Sequence, residues 1–292
     1  MVKIKNYTLL YLINLIIFLF SSCNLFNKNL NTDSIIKNRW SGEAVLFSDV
    51  SSQILKQKYI NTGWTKFNKN KSVPYFILKK QKGIILGNYY ANQKEYLVVQ
   101  LDNGKKYKWE KSFWQINDNA LPAHMCLIKD LEKAEKLNGI YIWLNYITED
   151  TSFISVPGIT YNKFEKVKIT GTKVYQNGGR DWPIWLVIKS NNEFNPMVRY
   201  NGNKKIVGKQ NYYFDNQPLP KIWGDDLILK IISGEVSAGM SVEQVRVAVG
   251  NPDVINNTSS RHSVSEQWIY GNVVGEKKYL SFDYGKLISM SK

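Results

Sequence analysis

Residues 225–256, DDLILKIISGEVSAGMSVEQVRVAVGNPDVIN, predict two short helices joined by a glycine-containing turn. Apolar residues recur at helical spacing in both halves: Leu227, Ile228, Ile231 and Ile232 in the first, and Val242, Val245 and Val249 in the second. Ser241, with Gln244 three residues later, predicts a capping box at the start of the second helix. Gly250 in a left-handed conformation and Pro252 are expected to end that helix.

The residues that follow predict an antiparallel sheet of three strands. These strands are Val254–Asn256, Val264–Tyr270 and Lys278–Phe282. Tyr284 and Gly285 can turn the chain, so that Leu287–Met290 extends the sheet or pairs with its edge. Two helices followed by an antiparallel sheet make a compact α+β module.

Several glycine, polar and aromatic positions of this region stand in a recognisable order. They are Gly234, Gly239-Met240-Ser241, Gln244-Val245, Gly250 and Pro252, Trp268 and Tyr270, and Phe282 and Leu287. In this order the C-terminal quarter resembles the SmpA/OmlA (BamE-like) family of outer-membrane lipoproteins. The resemblance implies a scaffold role in outer-membrane protein assembly and envelope integrity. Family members usually consist of little more than this module, and the same residues also suit any helix–turn–helix packed on a sheet.

The first 22 residues have the pattern of a lipoprotein signal peptide. Lys3 and Lys5 form a basic start, and the apolar run Leu9–Phe20 is shorter than the roughly 20 residues that cross a bilayer. The tetrapeptide Phe20-Ser21-Ser22-Cys23 resembles the bacterial lipobox, with Phe20 in place of the commoner leucine. The resemblance implies that Cys23 is the acylated first residue of the mature chain. A signal anchor, or a free Cys23 after ordinary cleavage, is the alternative.

The residues after Cys23 predict a tether and a location. The segment 24–38 is polar, rich in asparagine and without strong periodicity. Asn24 is not aspartate, which under the enterobacterial sorting rule implies carriage to the outer membrane. Because no acidic cluster follows Cys23, we expect the periplasmic face.

The charge of the chain is strongly positive but spread along it. The formal net charge of +15 falls to +13 when Lys3 and Lys5 leave with the signal. A basic surface can favour anionic headgroups, lipopolysaccharide phosphates or nucleic acid. The abundance of Lys, Asn, Ile, Tyr and Phe is also typical of an AT-rich genome, and the export signal argues against nucleic acid. The sequence indicates no oligomeric state.

The middle of the chain predicts mainly short strands. Expected strands are Ala44–Phe47, Tyr75–Leu78, Gly83–Leu86, Tyr96–Leu101, Lys105–Trp109, Ile140–Tyr146, Phe164–Ile169, Pro183–Ile188 and Pro196–Tyr200. Asp102-Asn103-Gly104 predicts a hairpin turn. Helices are expected at Ile54–Ile60 and from Ala123 to Asn138. The strand spacing of residues 164–201 is typical of a small SH3-like barrel, and the strand spacing of Tyr75–Trp109 is similar but less regular.

These patterns predict an α+β chain with β-rich N-terminal and middle modules. The expected division is a signal peptide over 1–22, a tether over 23–39, a β-rich domain over 40–120, a helix plus β-barrel-like domain over 121–220, and the BamE-like α+β domain over 221–292. The segment Asn216–Pro220, with two prolines, is the expected linker into the last domain.

Residues with catalytic chemistry are few. His124 and His262 are the only histidines, and the spacings usual for a zinc site are missing. His124 and Cys126, two residues apart at a predicted helix start, are expected to splay, which disfavours a Cys–His nucleophile. With Cys23 acylated, Cys126 has no partner for a disulfide. We therefore expect no enzyme activity, no metal and no cofactor.

The sequence thus favours a lipid-anchored envelope protein that contacts another protein. Gly239, Met240 and Ser241 are the expected partner surface, because an exposed methionine adapts to varied apolar partners. The alternative is an envelope protein that binds peptidoglycan or an anionic glycolipid through Arg180 and Trp182. A third possibility is an inhibitor of a secreted enzyme, which rests on an analogy of fold alone.

Overall fold

The computed structural model describes most of the chain after residue 33. The described residues are 34–50, 63–112, 121–145, 152–176, 183–190, 195–202, 212–260, 263–271 and 275–292. The predictions that lie outside them are the signal peptide, Cys23, most of the tether, the helix Ile54–Ile60, Arg180, Trp182 and His262.

The described chain consists mainly of strands, with three α-helices. The strands are β1 (Ala44–Phe47), β2 (Asp49–Val50), β3 (Trp64–Lys66), β4 (Lys82–Ala91), β5 (Lys94–Leu101), β6 (Lys106–Glu110), β7 (Met125–Leu127), β8 (Tyr141–Leu144), β9 (Phe153–Ile154), β10 (Lys166–Gln176), β11 (Ile184–Ile188), β12 (Met197–Arg199), β13 (Tyr213–Phe214), β14 (Val254–Ser260), β15 (Ser263–Tyr270), β16 (Lys278–Asp283) and β17 (Lys286–Ser291). The α-helices are α1 (Ile128–Glu135), α2 (Asp225–Ser233) and α3 (Val242–Val249). The sheets are curled and mostly antiparallel, which confirms the predicted α+β, β-rich class.

The chain divides into two compact units. The first comprises residues 1–45 and 56–120, and the second comprises residues 46–55 and 121–292.

In the first unit, four strands pair in the order β3-β6-β5-β4. The predicted hairpin turn is confirmed, since the Gly104 N–H donates to the Leu101 carbonyl at 2.8 Å and Gly104 has a φ of 78°. Strand β5 lies between β4 and β6 and is buried along most of its length, so both faces of the sheet are covered at this strand. The predicted strand Tyr75–Leu78 is wrong, because Tyr75–Ile77 form a 3-10 helix after Pro74.

Gly87 lets another segment of the first unit approach β4 closely. The backbone of Ile36 exchanges two hydrogen bonds with Asn88, each of 2.8 Å. A Cβ atom at Gly87 would collide with the Ile36 carbonyl group, and Gly87 also has a φ of 145°. The register of β4 and β5 shifts at the same place, between Ile85 and Gly87. A β-bulge with a glycine therefore makes room for residues 35–36.

The main sheet of the second unit has the strand order β13-β8-β10-β11-β12-β9, with β2 parallel to the end of β10. Helix α1 packs against β10 and β11. The predicted start of this helix at Ala123 is wrong, because Met125–Leu127 form strand β7 and the helix begins at Ile128. The Ser48 N–H donates to the His124 carbonyl at 2.9 Å, which ties residues 46–50 to the segment before β7.

The C-terminal region, residues 221–292 of the second unit, contains α2 and α3 and the sheet β14-β15-β16-β17. The sheet has four strands rather than the three of the predicted fold, because Lys286–Ser291 pair with Tyr279–Asp283 of β16, in line with the expected edge pairing of Leu287–Met290. A buried core joins the helices to the sheet. Its buried members are Phe164, Ile231, Met240, Val245, Ala248, Trp268, Tyr270, Leu280, Phe282 and Leu287.

The two helix boundaries in this region have clear causes. The capping box of α3 is confirmed: Gln244 N–H donates to Ser241 Oγ at 3.2 Å, and Ser241 N–H donates to Gln244 Oε1 at 2.7 Å. Gly234 ends α2 in the left-handed conformation, with φ 76° and ψ 16°. Gly250 has the positive φ that was expected, 86°, but its ψ of −169° is extended, so the predicted left-handed conformation at Gly250 is wrong.

Candidate interaction surfaces

The turn at Met240 is part of the core, and the predicted exposure of Met240 is wrong. Only 2% of Met240 is accessible to solvent. Its sulfur accepts a hydrogen bond from Ser237 N–H at 3.4 Å, and its carbonyl accepts one from Leu287 N–H at 2.8 Å. The turn faces inward because residues 239–242 pair with the start of β17. Gly239 is exposed, whereas Ser241 is half-buried and caps α3.

Exposed apolar residues, which were expected at Met240, lie instead on the outer side of α2. Ile222, just before the helix, is 91% exposed, and Leu229 and Ile232 are 64% and 42% exposed. We call these three residues the α2 face. Ile232 was expected on the inner side of the helix together with Ile231, but Ile232 is exposed and Ile231 is fully buried. The usable signal in the sequence was Leu229, an apolar residue outside the inward stripe of the helix.

A second exposed surface lies on β8 and β10. Strand β10 pairs with β8 so that Lys166 lies opposite Trp143 and Lys168 opposite Tyr141. The Lys166 ammonium lies 4.6 Å from the ring centre of Tyr141 and 5.4 Å from that of Trp143. Tyr141 is 47% exposed, and both lysines are exposed. These four residues form the β8–β10 face, which combines aromatic rings with positive charge.

The predicted ligand residues Arg180 and Trp182 lie outside the described residues, but the strand ends on either side of them are described. The Tyr175 N–H donates to the Pro183 carbonyl at 2.7 Å, where β10 and β11 come together. Trp185 is buried under the guanidinium of Arg199, at 4.2 Å from the ring centre, and donates to the Tyr175 carbonyl at 2.6 Å. Trp185 is therefore a core residue of the sheet.

Cys126 is held as a neutral thiol. It is 4% exposed, and burial together with the nearby carboxylate of Asp130 raises the pKa of its thiol to about 12. Thiolate, the reactive form, is therefore scarce near neutral pH. The ring of His124 stacks on Phe47 with 6.4 Å between ring centres, and burial lowers the pKa of His124 to about 4. Both residues serve packing in this arrangement.

One buried lysine in the first unit is enclosed by tyrosine rings. Lys108 is 2% exposed and lies 4.9 Å from the ring centre of Tyr96 and 5.6 Å from that of Tyr89. It donates to Asn70 Oδ1 at 3.1 Å. Burial lowers the pKa of its ammonium. The lysine closes one side of a core cluster of Phe67, Tyr89, Tyr96 and Val98.

Within the described part of the chain, no group of three or more His, Cys, Asp or Glu side chains could hold a metal ion. The helices described here are all too short or too polar to span a bilayer. A scan against models of known protein families found no match, and searches among curated proteins and solved structures found none either.

Proposed function

We propose that this chain is a lipid-anchored, non-enzymatic protein of the cell envelope whose C-terminal region binds another protein. In this proposal residues 221–292 form a BamE-like module, and the curled sheets of the preceding residues form SH3-like modules. The protein is held at the periplasmic face of the outer membrane through Cys23. The module acts as a scaffold in outer-membrane assembly or integrity.

The observation that carries the proposal is the α2 face. Leu227 and Ile231 of helix α2 pack into the core, yet Leu229 and Ile232 are also large and aliphatic, and both are exposed. Clustered exposed aliphatic residues mark interaction surfaces. We therefore place the partner on the outer side of α2.

The charges around the α2 face are of both signs, which suits a protein partner better than an anionic bilayer. Asp225 and Asp226 are exposed in the first turn of the helix, and the exposed Lys221 and Lys230 are the sequence neighbours of Ile222 and Leu229. The carboxylates would be repelled by anionic headgroups, whereas a partner protein can place an opposite charge against each of the four groups. An amphipathic helix laid into such a groove is a common mode of recognition.

The sequence supports the lipid anchor. Lys3, Lys5 and the short apolar run precede a small-residue site ending in Cys23. Several acyl chains on one residue give stable attachment, whereas a single chain binds marginally.

The chemistry of the described side chains supports a non-enzymatic role. The Cys126 thiol is buried, with its pKa raised to about 12, and His124 is packed against Phe47. A nucleophile needs an activating base and a depressed pKa, and Cys126 has the opposite environment.

Site-specific photocrosslinking in intact cells tests the protein contact. A photoreactive residue at position 229 should give one discrete protein adduct, and the same residue at the exposed position of Gln267 in β15 should not. The adduct should disappear when Ile222 and Ile232 are both changed to serine. It should persist in Ile288→Ser, which removes an aliphatic side chain of similar exposure (59%) from β17. Equal adducts at positions 229 and 267, or an adduct that survives loss of the α2 face, would overturn the proposal.

The β8–β10 face favours a second candidate function, binding of an anionic glycan such as peptidoglycan or a glycolipid headgroup. Tyr141 and Trp143 can stack on sugar rings while Lys166 and Lys168 pair with carboxylate or phosphate groups. Purified sacculi should retain the protein and should retain much less of Tyr141→Ser with Lys166→Glu. The matched control is Tyr284→Ser with Lys286→Glu, at exposed positions of the C-terminal region. Retention that is equal for both double variants would rule out this surface.

A further inference from the structure

The 3-10 helix of the first unit presents two apolar side chains to solvent. Tyr75 and Leu78 on either side are buried, at 5% and 0% exposure, whereas Phe76 is 64% and Ile77 37% exposed. The turn is fixed from both ends. Val73 N–H donates to the Trp64 carbonyl at 2.9 Å, and Leu78 N–H donates to the Tyr75 carbonyl at 2.9 Å. The buried side chains of Tyr75 and Leu78 therefore fix the turn so that Phe76 and Ile77 point to solvent.

The sequence around this turn is purely basic. Residues 66–82 contain six lysines and neither aspartate nor glutamate. Of these lysines, Lys66, Lys69, Lys71, Lys80 and Lys82 are exposed. Lys71 lies five residues before Phe76 and Lys82 six residues after it, so chain length alone keeps them within about 20 Å of Phe76.

The fold brings further lysines to the same segment. Phe67 N–H donates to the Lys106 carbonyl at 3.0 Å, which places the hairpin end with Lys105 and Lys106 beside residue 67. One carboxylate, Asp102, lies beside Lys82, since the Asp102 N–H donates to the Lys82 carbonyl at 3.1 Å. The segment 66–82 with Lys105 and Lys106 thus has eight lysines against this single aspartate. We call it the basic turn.

We propose that the basic turn docks on the anionic surface of a lipid bilayer, with Phe76 and Ile77 entering the headgroup region and the lysines pairing with phosphates. Such a contact would complement the lipid at Cys23, because a charged surface next to an acyl anchor strengthens membrane attachment. This inference rests on the proposed function only in that the anchor brings the protein to a bilayer.

The combination of residues favours a bilayer over the other polyanions. Aromatic and aliphatic side chains lie next to lysines in proteins that rest in the membrane interface. Nucleic acid would use the lysines and could stack on Phe76, but Ile77 offers it nothing. A protein partner with acidic groups alone would likewise leave Phe76 and Ile77 in water. The α2 face differs, since exposed carboxylates as well as lysines lie beside its aliphatic residues.

The test uses the full chain reconstituted into vesicles of phosphatidylcholine alone or with added phosphatidylglycerol. Hydrogen exchange of a peptide covering residues 72–82 reports on the basic turn. We expect exchange to slow about fivefold or more in the anionic vesicles. One lysine near an anionic surface raises the binding constant by about this factor, so fivefold is the smallest expected effect. The slowing should vanish in high salt, because salt screens these charges.

Matched variants identify the residues responsible. Phe76→Ser with Ile77→Ser, and Lys69→Glu with Lys71→Glu, should each abolish the slowing. Tyr90→Ser, at a 55% exposed aromatic of the same unit, and Lys278→Glu with Lys286→Glu should retain it. Equal exchange in neutral and anionic vesicles would overturn the inference. Equal protection by a DNA duplex would also overturn it, since the surface would then be a general polyanion site.

The fate of the lipid anchor is read separately, from the mass of the N-terminal peptide. If Cys23 is acylated but the basic turn is not protected, the inference fails and the proposed function stands. If Cys23 is unmodified but the turn is protected, the anchor fails and the inference stands. If the protein is freely soluble, sedimentation with the same two kinds of vesicle replaces reconstitution. Binding to the neutral vesicles alone, or to neither kind, would contradict the inference.

Discussion

Replacing Lys111 with methionine should leave a buried carboxylate of the first unit without its positively charged partner. Lys111 Nζ lies 2.6 Å from Glu95 Oε1, and the two side chains are only 1% and 5% exposed. Asn88 donates to the same Glu95 oxygen at 2.7 Å, and Asn38 donates to Asn88 Oδ1 at 2.6 Å. The Lys111 ammonium is the cation paired with Glu95 in this network. Without it, the negative charge of Glu95 would be stabilised only by the hydrogen bond from the Asn88 amide.

The burial of the pair sets the size of the effect. Removing one partner of a buried ion pair costs about 3–5 kcal/mol of unfolding free energy, because the remaining charge is desolvated without compensation. Glu95→Gln combined with Lys111→Met should recover most of this loss, since no charge then remains buried. The matched control is Lys94→Met, which breaks an exposed ion pair with Glu110 of nearly equal length, 2.7 Å. Exposed pairs contribute little, so this variant should unfold at the same urea concentration as the unaltered protein.

Urea unfolding followed by hydrogen exchange of the β5 and β6 amides measures these changes inside the first unit. That readout is needed because a chain with two units need not unfold in one step. If Lys111→Met costs less than about 1 kcal/mol, the pair is not the desolvated contact that its geometry indicates. If Glu95→Gln combined with Lys111→Met is as unstable as Lys111→Met alone, the lost unfolding free energy does not come from an unpaired buried charge, which would also contradict the prediction.

Three further predictions concern single positions. Gly87→Ala should destabilise the first unit by about 1–3 kcal/mol or more, because of its positive φ and the collision with Ile36, whereas Gly171→Ala has open space and should be nearly neutral in urea unfolding. Alkylation of Cys126 at pH 8 should be about a thousandfold slower in the folded protein than in urea, because its pKa is raised from 9.0 to about 12; comparable rates would contradict the burial of the thiol. Burial lowers the pKa of His124 from 6.5 to about 4, so the unfolded chain takes up a proton first as the pH falls. Stability should therefore decline by about 2–3 kcal/mol between pH 6.5 and pH 4, and His124→Gln should flatten that part of the pH profile.

Local patterns predicted the elements whose residues are close in sequence. The capping box at Ser241 and Gln244 and the hairpin at Gly104 depend on residues within four positions of each other, and both were confirmed. Strand β1 was also predicted with its observed bounds, Ala44–Phe47. In these places the backbone follows side-chain preferences that can be read directly.

The errors arise where distant segments decide the structure. Residues 123–127 have a helical pattern, but Met125–Leu127 form a strand because the chain near Ser48 pairs with the segment before it. Tyr75–Leu78 form an apolar run that suits a strand, yet Pro74 and the hydrogen bonds that follow it close a 3-10 helix. Short apolar runs cannot be assigned by periodicity alone.

The surfaces were predicted less well than the fold. Met240 was expected to be exposed because it lies in a turn, but the pairing of residues 239–242 with β17 turns it into the core. The pair of Glu95 and Lys111 joins residues 16 positions apart, and Asn38 and Asn88 are 50 apart. Exposure and long-range pairing both depend on the assembled fold, which no local pattern reports.

The mass of the N-terminal peptide of the protein purified from membranes decides whether a lipid on Cys23 holds the chain at a bilayer. We expect the mature chain to begin at Cys23 and to carry several acyl chains, and Cys23→Ala to remove the added mass. A membrane-free protein, or a mature chain in which Cys23 is unmodified, would rule out the lipid anchor.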